Sequence, residues 1–395
     1  MQVLVLNSGS SSLKFQLFSM PDETILCSGQ IERIGFSDAF FRYKTPTKTI
    51  ELEASILNHK AAFKLVSQHL LDKKVGVIKS TEDIDIVGHR VVHGGSHFSD
   101  TTLITKEVKE KIKLLSSLAP LHNPPNLEGI EVAEDIFPAA KQVAVFDTAF
   151  LQTIPEVAYK YAIPNEFLTE HQIRLYGFHG TSHKYVSEKA ITFLGKKESK
   201  IITIHLGNGC SMTAVKNGKS IDHSMGFSPL SGLIMGTRSG DIDPSIIFHL
   251  KNKLGYNLKE INELLHKKSG MLGLTGYSDL RDVEIMANKG NKDCVLGLHM
   301  NAYRIKKYLG SYATILNGLD AVVFTAGIGE NSSTLRRLIC EDLDFLGIEI
   351  DKTKNEEKAS GIRSINSENA KVKLLIVPTN EELEIAKQAV ELIKN

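Results

Sequence analysis

Short apolar runs that stop at small polar residues recur along this chain, and they predict its elements. Val3–Leu6 is one such run, ending at the turn signal Asn7-Ser8-Gly9; Leu13–Phe18 then alternates, with Leu13, Phe15 and Leu17 opposite Lys14, Gln16 and Phe18. The pattern predicts strand, tight turn, strand. Ile56, Ala62, Phe63, Val66 and Leu70 fall at helical spacing over Ile56–Leu71. Ile84–Gly88 and Val143–Phe146 read as buried strands. Lys106–Lys113 reads as a solvated helix face, and from Glu381 a closing helix sets Leu383, Ala386, Val390 and Ile393 on one side.

The opening plan appears again. Ile201–His205 ends in the Gly-rich turn Leu206-Gly207-Asn208-Gly209, followed by Ser211–Val215 and the turn Asn217-Gly218. Two copies of strand, small-residue turn and alternating strand suggest two related halves, although hairpins alone are common. A third segment, Ala321–Phe324, feeds Ala326-Gly327-Ile328-Gly329-Glu330-Asn331, expected as a Gly-rich turn ahead of a helix. Such a turn offers backbone N–H groups to a phosphate or lets a base approach the backbone.

With 395 residues, 42% of them hydrophobic, the chain suggests two or three domains with a large core. A net charge of +1 supplies no global field for nucleic acid or a membrane surface, so an anionic substrate would have to be caught by local arginines. The four cysteines, Cys27, Cys210, Cys294 and Cys340, are scattered without a CxxC, which predicts a reduced, cytoplasmic chain. The N-terminus lacks a basic n-region and a cleavage signal, and no stretch is long and apolar enough to span a bilayer.

Chemistry concentrates where the apolar runs end. Gly9-Ser10-Ser11-Ser12 with Lys14 supplies backbone donors, hydroxyls and a cation, yet it is not a Walker A loop, since no glycine precedes the lysine and no helix is expected after it. Gly327-Ile328-Gly329 lacks the third glycine of a dinucleotide fingerprint. Either loop alone reads equally as a structural turn; three in one chain favour a nucleotide site. His89, His93 and His97 recur every four residues, but Val91-Val92 and Gly94-Gly95 argue for strand and turn, where four residues span roughly 13 Å, too far to share a metal. His179 and His183 lack the glutamate of HExxH, so an anion donor or a packed histidine is the better reading. Arg90, after the strand Ile84–Gly88, and Arg238, in Gly236–Asp241, are placed as anion clamps; for one arginine alone a structural ion pair is the simpler reading. Asp147, Asn7 and Glu381 sit at strand or helix ends and offer oxygens that suit Mg²⁺.

The longer motifs resemble those of one family. Leu6-Asn7-Ser8-Gly9-Ser10-Ser11-Ser12-Leu13-Lys14 is similar to the first signature of the acetate kinases, and Tyr176-Gly177-Phe178-His179-Gly180-Thr181-Ser182-His183 to the second. Around them, in order, stand Arg90–Gly95, Leu118–Pro124, Phe146–Thr148, His205–Gly209, Gly236–Arg238, Asp241–Pro244, Gly327–Asn331 and Thr379–Glu382. The resemblance implies an α/β chain of two ribonuclease-H-like, actin-like ATPase domains facing each other across a cleft. The first would hold residues 1–147 plus 381–395; the second, 148–380, would carry nucleotide contacts and the interface of a homodimer.

The resemblance also implies roles. Arg90 and Arg238 would hold acetate and the transferring phosphoryl group, with His179 donating to it and His122 nearby. Asn7 and Glu381 would position Mg²⁺ (Mn²⁺ could substitute), beside Asp147. Lys14, Ser10, Ser12 and His205, Leu206, Gly207, Asn208, Gly209 would contact ATP or ADP phosphates. Asp279, Leu280, Arg281 and Gly327, Ile328, Gly329, Glu330, Asn331 would line the adenosine pocket, and Val92, Leu121, Phe178 and Pro229 the acetate methyl pocket. Leu151, Leu175 and Pro125 depart from the family pattern. The implied activity is reversible phosphoryl transfer from ATP to acetate, with propionate or butyrate kinase as the near alternative, decided by the side chains around Val92. An actin- or Hsp70-like ATPase, the alternative from another class, needs no second anion site, and this chain has no appended peptide-binding domain.

Overall fold

The structure is a computed structural model and describes residues 1–394. Its contacts divide it into two units, Met1–Phe150 with the segment from Asn380 on, and Leu151–Thr379. The first is built on an eight-stranded sheet. Five strands run antiparallel in succession: β1 (Gln2–Ser8), β2 (Ser12–Ser19), β3 (Thr24–Glu32), β4 (Ala39–Lys44) and β5 (Thr49–Ala54). On the other side of β1 lie β6 (Ile86–Val91) and β8 (Lys141–Phe146), both parallel, with β7 (Thr102–Leu103) at the edge, giving the order β5-β4-β3-β2-β1-β6-β8-β7. One face packs Leu4, Leu6, Phe15 and Phe41 against Phe63 and Val66 of the helix His59–Leu70, which Asn58 caps. The other carries the C-terminal helix Glu381–Lys394. Gly88 permits that approach: a Cβ there would meet Ile385 Cγ2 at 2.9 Å.

The second unit repeats the arrangement. Strands β9 (Lys200–Leu206), β10 (Cys210–Lys216) and β11 (Lys219–His223) run antiparallel in succession, and β12 (Ala321–Thr325) and β14 (Lys373–Ile376) join β9 in parallel, with β13 (Arg363–Ser364) at the edge. The order is β11-β10-β9-β12-β14-β13. The shared core order of the two sheets, three antiparallel strands and then two parallel ones, is the ribonuclease-H-like plan. It accounts for the repeated strand-turn-strand pattern. The 25-residue helix Lys292–Leu316 packs on this unit's β9 and β10.

Three local expectations shift. The strand expected over Ile84–Gly88 begins at Ile86 and continues to Val91, so Arg90 lies within it and not after it. The polar residues at which the apolar run stops are paired: buried His89 contacts Gln142 Oε1 through Nε2 at 2.8 Å, and Arg90 binds Asp147. The helix expected from Ile56 begins at His59 because Asn58 caps it, accepting from Ala61 N–H at 2.9 Å. The Gly-rich turn expected after β12 is itself a short helix, Ala326–Asn331. Ala326 enters it at φ 64°, and Ser332 caps the helix that follows, Ser333–Cys340.

Candidate active site

In the first unit, candidate residues gather at the carboxyl ends of the parallel strands, where α/β sheets bind ligands. Asn7 is next to last in β1, opposite Lys14 on β2, Arg90 lies near the end of β6, and Asp147 follows β8. Arg90 binds Asp147 through two N–H groups, Nε to Oδ1 at 3.2 Å and Nη2 to Oδ2, and donates from Nη1 to Asn7 Oδ1 at 3.2 Å. Glu381, the first residue of the C-terminal helix, approaches Arg90 Nε at 3.9 Å. Asp147 is 0% exposed. Burial alone would lower the Arg90 pKa, but Asp147 and Glu381 more than offset it and hold it above the usual arginine value. Burial pushes the Glu381 carboxyl up to about 7; Arg90 opposes the shift, while Asp147 and Glu382 add to it.

These oxygens suit a hard divalent cation. Among the described residues no cluster of three or more His, Cys, Asp or Glu side chains could hold a metal alone. Such an ion would take further ligands from water and phosphate, as Mg²⁺ commonly does. Of the remaining first-unit candidates, Val92 is buried, with its N–H donated to Asn126 Oδ1 at 3.0 Å, whereas Leu121 is 64% exposed. His122 is half-buried and precedes the helix Asn123–Ile136; Ser10 and Lys14 are exposed, and Ser12 is half-buried.

The second unit gathers the histidine and the other arginine. His179 sits at φ 59°, a left-handed conformation rare outside glycine, immediately before the helix Gly180–Leu194. Its ring stacks on His205, with centroids 4.3 Å apart, and its Nδ1 lies 2.9 Å from Ser211 Oγ. Arg238 donates from Nη1 to the Pro229 carbonyl at 3.0 Å. No carboxylate pairs with Arg238 among the described residues, and burial lowers its pKa, offset in part by the Cys210 thiol. Gly209 marks where the two groups converge: a Cβ there would lie 3.2 Å from His179 Nε2 and 3.8 Å from Arg238 Nη1. A cation and an imidazole nitrogen thus border one small space that a side chain would fill. Phe178 is buried beside them, and Pro229 half-buried.

A pocket of about 820 Å³ lies in the same unit, lined by Gly207, Asn208, Ser278, Asp279, Arg281 and Gly327 among others. It also takes in Leu280, Ile328 and Asn331; Gly329 and Glu330 sit in the short helix Ala326–Asn331 behind it. The volume suits a nucleoside. Asp279 caps the helix Leu280–Asn288 and pairs with Arg281 at 2.5 Å. Leu206 and His205 end β9 at the head of the loop Gly207–Gly209.

Sequence reading missed the supports of this region. Arg336 is buried and donates to Gly329 O at 2.8 Å, Glu330 O at 3.0 Å and Asn355 Oδ1 at 2.7 Å, holding the short helix. Asn123 and Asn126 brace the backbone of His93, Val92 and Ser8. Thr203, His183 and Ser211 line up behind His179. The alternation of Thr203 with His205 and of Ser211 with Thr213 on paired strands was the available signal: polar residues on a face that should be apolar. Leu151 is wholly buried, and a Cβ on Gly177 would meet it at 2.5 Å.

Two ribonuclease-H-like units, one carrying a nucleoside-sized pocket and both carrying arginines at strand and loop ends, define an ATP-dependent phosphotransferase of the actin-like class. The family model described as "Acetokinase family" matches residues 2–387. An acetate kinase of Flavobacterium johnsoniae is 64% identical over 395 residues, covering all of both chains. Among solved structures, acetate kinase from Porphyromonas gingivalis matches with a TM-score of 0.94 at 45% identity, and a propionate kinase from Francisella tularensis with 0.93 at 45%, each over 99% of both chains. The chain belongs to the acetokinase family, and its activity is phosphoryl transfer between ATP and acetate.

Proposed function

We propose that the transfer is in-line, with Arg238 and His179 meeting the phosphoryl group, Arg90 holding the acetate carboxylate, and Asn7 and Glu381 positioning Mg²⁺. Mg²⁺, or Mn²⁺ in its place, held with the help of Asn7 and Glu381, would supply charge neutralisation at the phosphates. Acetate is ionised at neutral pH, so the nucleophile has no proton to lose and needs no general base. What remains is alignment and charge neutralisation at a polyanion. Asp147, bound by two N–H groups of Arg90, orients that arginine and takes no proton. The nucleoside would occupy the pocket beside Asp279, Arg281 and Gly327. Lys14, Ser10, Ser12 and His205–Gly209 are the proposed phosphate contacts. Val92, Phe178 and Pro229 are buried or half-buried enough to wall a methyl group; Leu121 at 64% exposure supports that role least.

The observation that carries this reading is Arg238, a cation without a carboxylate partner among the described residues that shares the space at Gly209 with His179 Nε2. A guanidinium beside an imidazole nitrogen suits an anion. ADP release with acetate, propionate, butyrate or no acceptor tests it. Release should require an acceptor and favour acetate; release independent of acceptor would make the chain an ATPase. We also propose a homodimer, for which Phe248, Leu254, Leu258, Leu296 and Tyr303, each an exposed large apolar side chain of the second unit, are candidate contacts; sedimentation equilibrium would detect it as twice the 43.6 kDa chain mass.

A further inference from the structure

Behind His179 runs a buried chain of hydrogen bonds. His179 Nδ1 meets Ser211 Oγ at 2.9 Å; the same oxygen meets His183 Nε2 at 2.7 Å; and His183 Nδ1 meets Thr203 Oγ1 at 2.7 Å. Ser211, His183 and Thr203 are each 0% exposed. Among the described residues the only further partner of the Thr203 hydroxyl is the Thr213 carbonyl, at 3.5 Å. The elements explain the alignment: Thr203 lies on β9 and Ser211 on β10, pointing to one face of the sheet, and His183 is on the first turn of the helix packed there.

Each hydroxyl has one hydrogen, and a neutral imidazole has one N–H. These counts leave two arrangements of the chain. If His183 carries its hydrogen on Nδ1, that hydrogen goes to Thr203, and the threonine hydroxyl must donate to a carbonyl at 3.5 Å, the outer limit of a hydrogen bond. If His183 carries it on Nε2, the Thr203 hydroxyl donates to His183 Nδ1 at 2.7 Å, His183 Nε2–H to Ser211 at 2.7 Å, and Ser211 to His179 Nδ1 at 2.9 Å. Only the second gives the hydrogens of Thr203, His183 and Ser211 each a good acceptor, and in a buried chain that difference decides. Burial, with His223 and His205 adding to it, also keeps His183 neutral.

From this we infer that Thr203, His183 and Ser211 are positioning residues that hold His179 as its Nε2–H tautomer, so that the neutral ring is a hydrogen-bond donor toward the space shared with Arg238. The inference deepens the proposed role of His179 and rests on it. Phosphoryl oxygens only accept, so a ring with a bare Nε2 would face them lone pair to lone pair. Fixing the tautomer from behind removes that state without requiring a second positive charge next to Arg238.

Long-range ¹H–¹⁵N spectra of the full-length protein labelled at histidine read the tautomers directly, with His179→Asn and His183→Asn used to assign the signals. His179 and His183 should both appear as Nε2–H forms in the wild type. Ser211→Ala should let the Nδ1–H form of His179 appear and lower kcat about ten-fold, with KM for ATP and acetate within about two-fold. Ser211→Thr, which keeps the hydroxyl, should restore both. A wild-type His179 carrying its hydrogen on Nδ1 would overturn the inference, and that spectrum stands even if Ser211→Ala does not fold. Unchanged kcat in a folded Ser211→Ala would also overturn it. Full activity in His179→Asn would instead remove the underlying role of His179, whatever tautomer the spectrum gave.

Discussion

The two arginines, alike in the sequence, are opposites in their surroundings. Arg90 spends three of its five N–H groups on Asp147 and Asn7; Arg238 holds a carbonyl and a sulfur and, among the described residues, no carboxylate. Lysine keeps the charge of either but loses the fork that meets two oxygens at once. Arg90→Lys and Arg238→Lys should each lower kcat/KM by about a hundred-fold or more in a coupled assay of ADP release. The melting temperature should separate them: Arg90→Lys leaves the wholly buried Asp147 short of a donor and lowers Tm, while Arg238→Lys breaks no ion pair and leaves Tm nearly unchanged. Near-normal turnover in both would make them structural. Val92 tests the other end of the substrate. It is buried, and Val92→Ala should shift the ratio of propionate to acetate kcat/KM upward by roughly ten-fold, the worth of about one methylene in an apolar pocket. An unchanged ratio would place Val92 outside the pocket.

At the scale of elements, the short helix Ala326–Asn331 is too brief to stand by its own hydrogen bonds. Arg336 holds it from the following helix by capping two of its last carbonyls, Gly329 and Glu330, and ties both to Asn355. Arg336→Met should therefore raise KM for ATP about ten-fold while kcat at saturating ATP stays within about two-fold. It should also cost about 3 kcal/mol or more of stability, since buried carbonyls lose a charged donor. Chemical denaturation and ATP titration read the two effects separately; an unchanged KM would mean that the helix holds its own shape. The elements themselves were largely legible. Apolar and alternating runs placed β1, β2, β9 and β10 within a residue or two. The Gly-rich segment after β12 was read as a turn because glycine and asparagine favour turns locally, whereas Arg336, a residue without a motif, supplies the bonds that make it helical.

For the whole molecule, buried ionisable groups of two kinds set the response to pH. Burial lowers His89 and His93 to about 4 and His223 to about 3, against an ordinary value of 6.5. The unfolded chain takes up these protons first, so their contribution to stability is present above pH 6.5 and is lost as pH falls toward 3. Asp222 works the other way: burial raises it to about 6, so its contribution is present below its ordinary value of 3.8 and is lost as pH rises through 6. Tm should accordingly fall on acidification from pH 7 to 4. Asp222→Asn should raise Tm at pH 8 and change it little near pH 4, because asparagine can still accept from the His223 N–H. A Tm gain that is the same at both pH values would show that Asp222 does not titrate as its burial requires.

Sequence by itself determined what is local or written in contiguous motifs: the repeated strand-turn-strand plan, the closing helix, and the motif residues Asn7, Arg90, Asp147, His179, Arg238 and Glu381 as candidates. Alternation and turn chemistry act over a few residues, so they survive without knowledge of the fold. Only the tertiary structure decided which candidates are already paired and which are not. Arg90 meets Asp147 because β6 and β8 are adjacent and in register, Arg90 beside Val145, and the C-terminal helix brings Glu381 to the same end of the sheet. The chain from Thr203 through His183 and Ser211 to His179 joins two strands and a helix, and no stretch of sequence contains it. Contacts of that kind depend on strand order, register and packing, properties of the folded chain that no local pattern encodes.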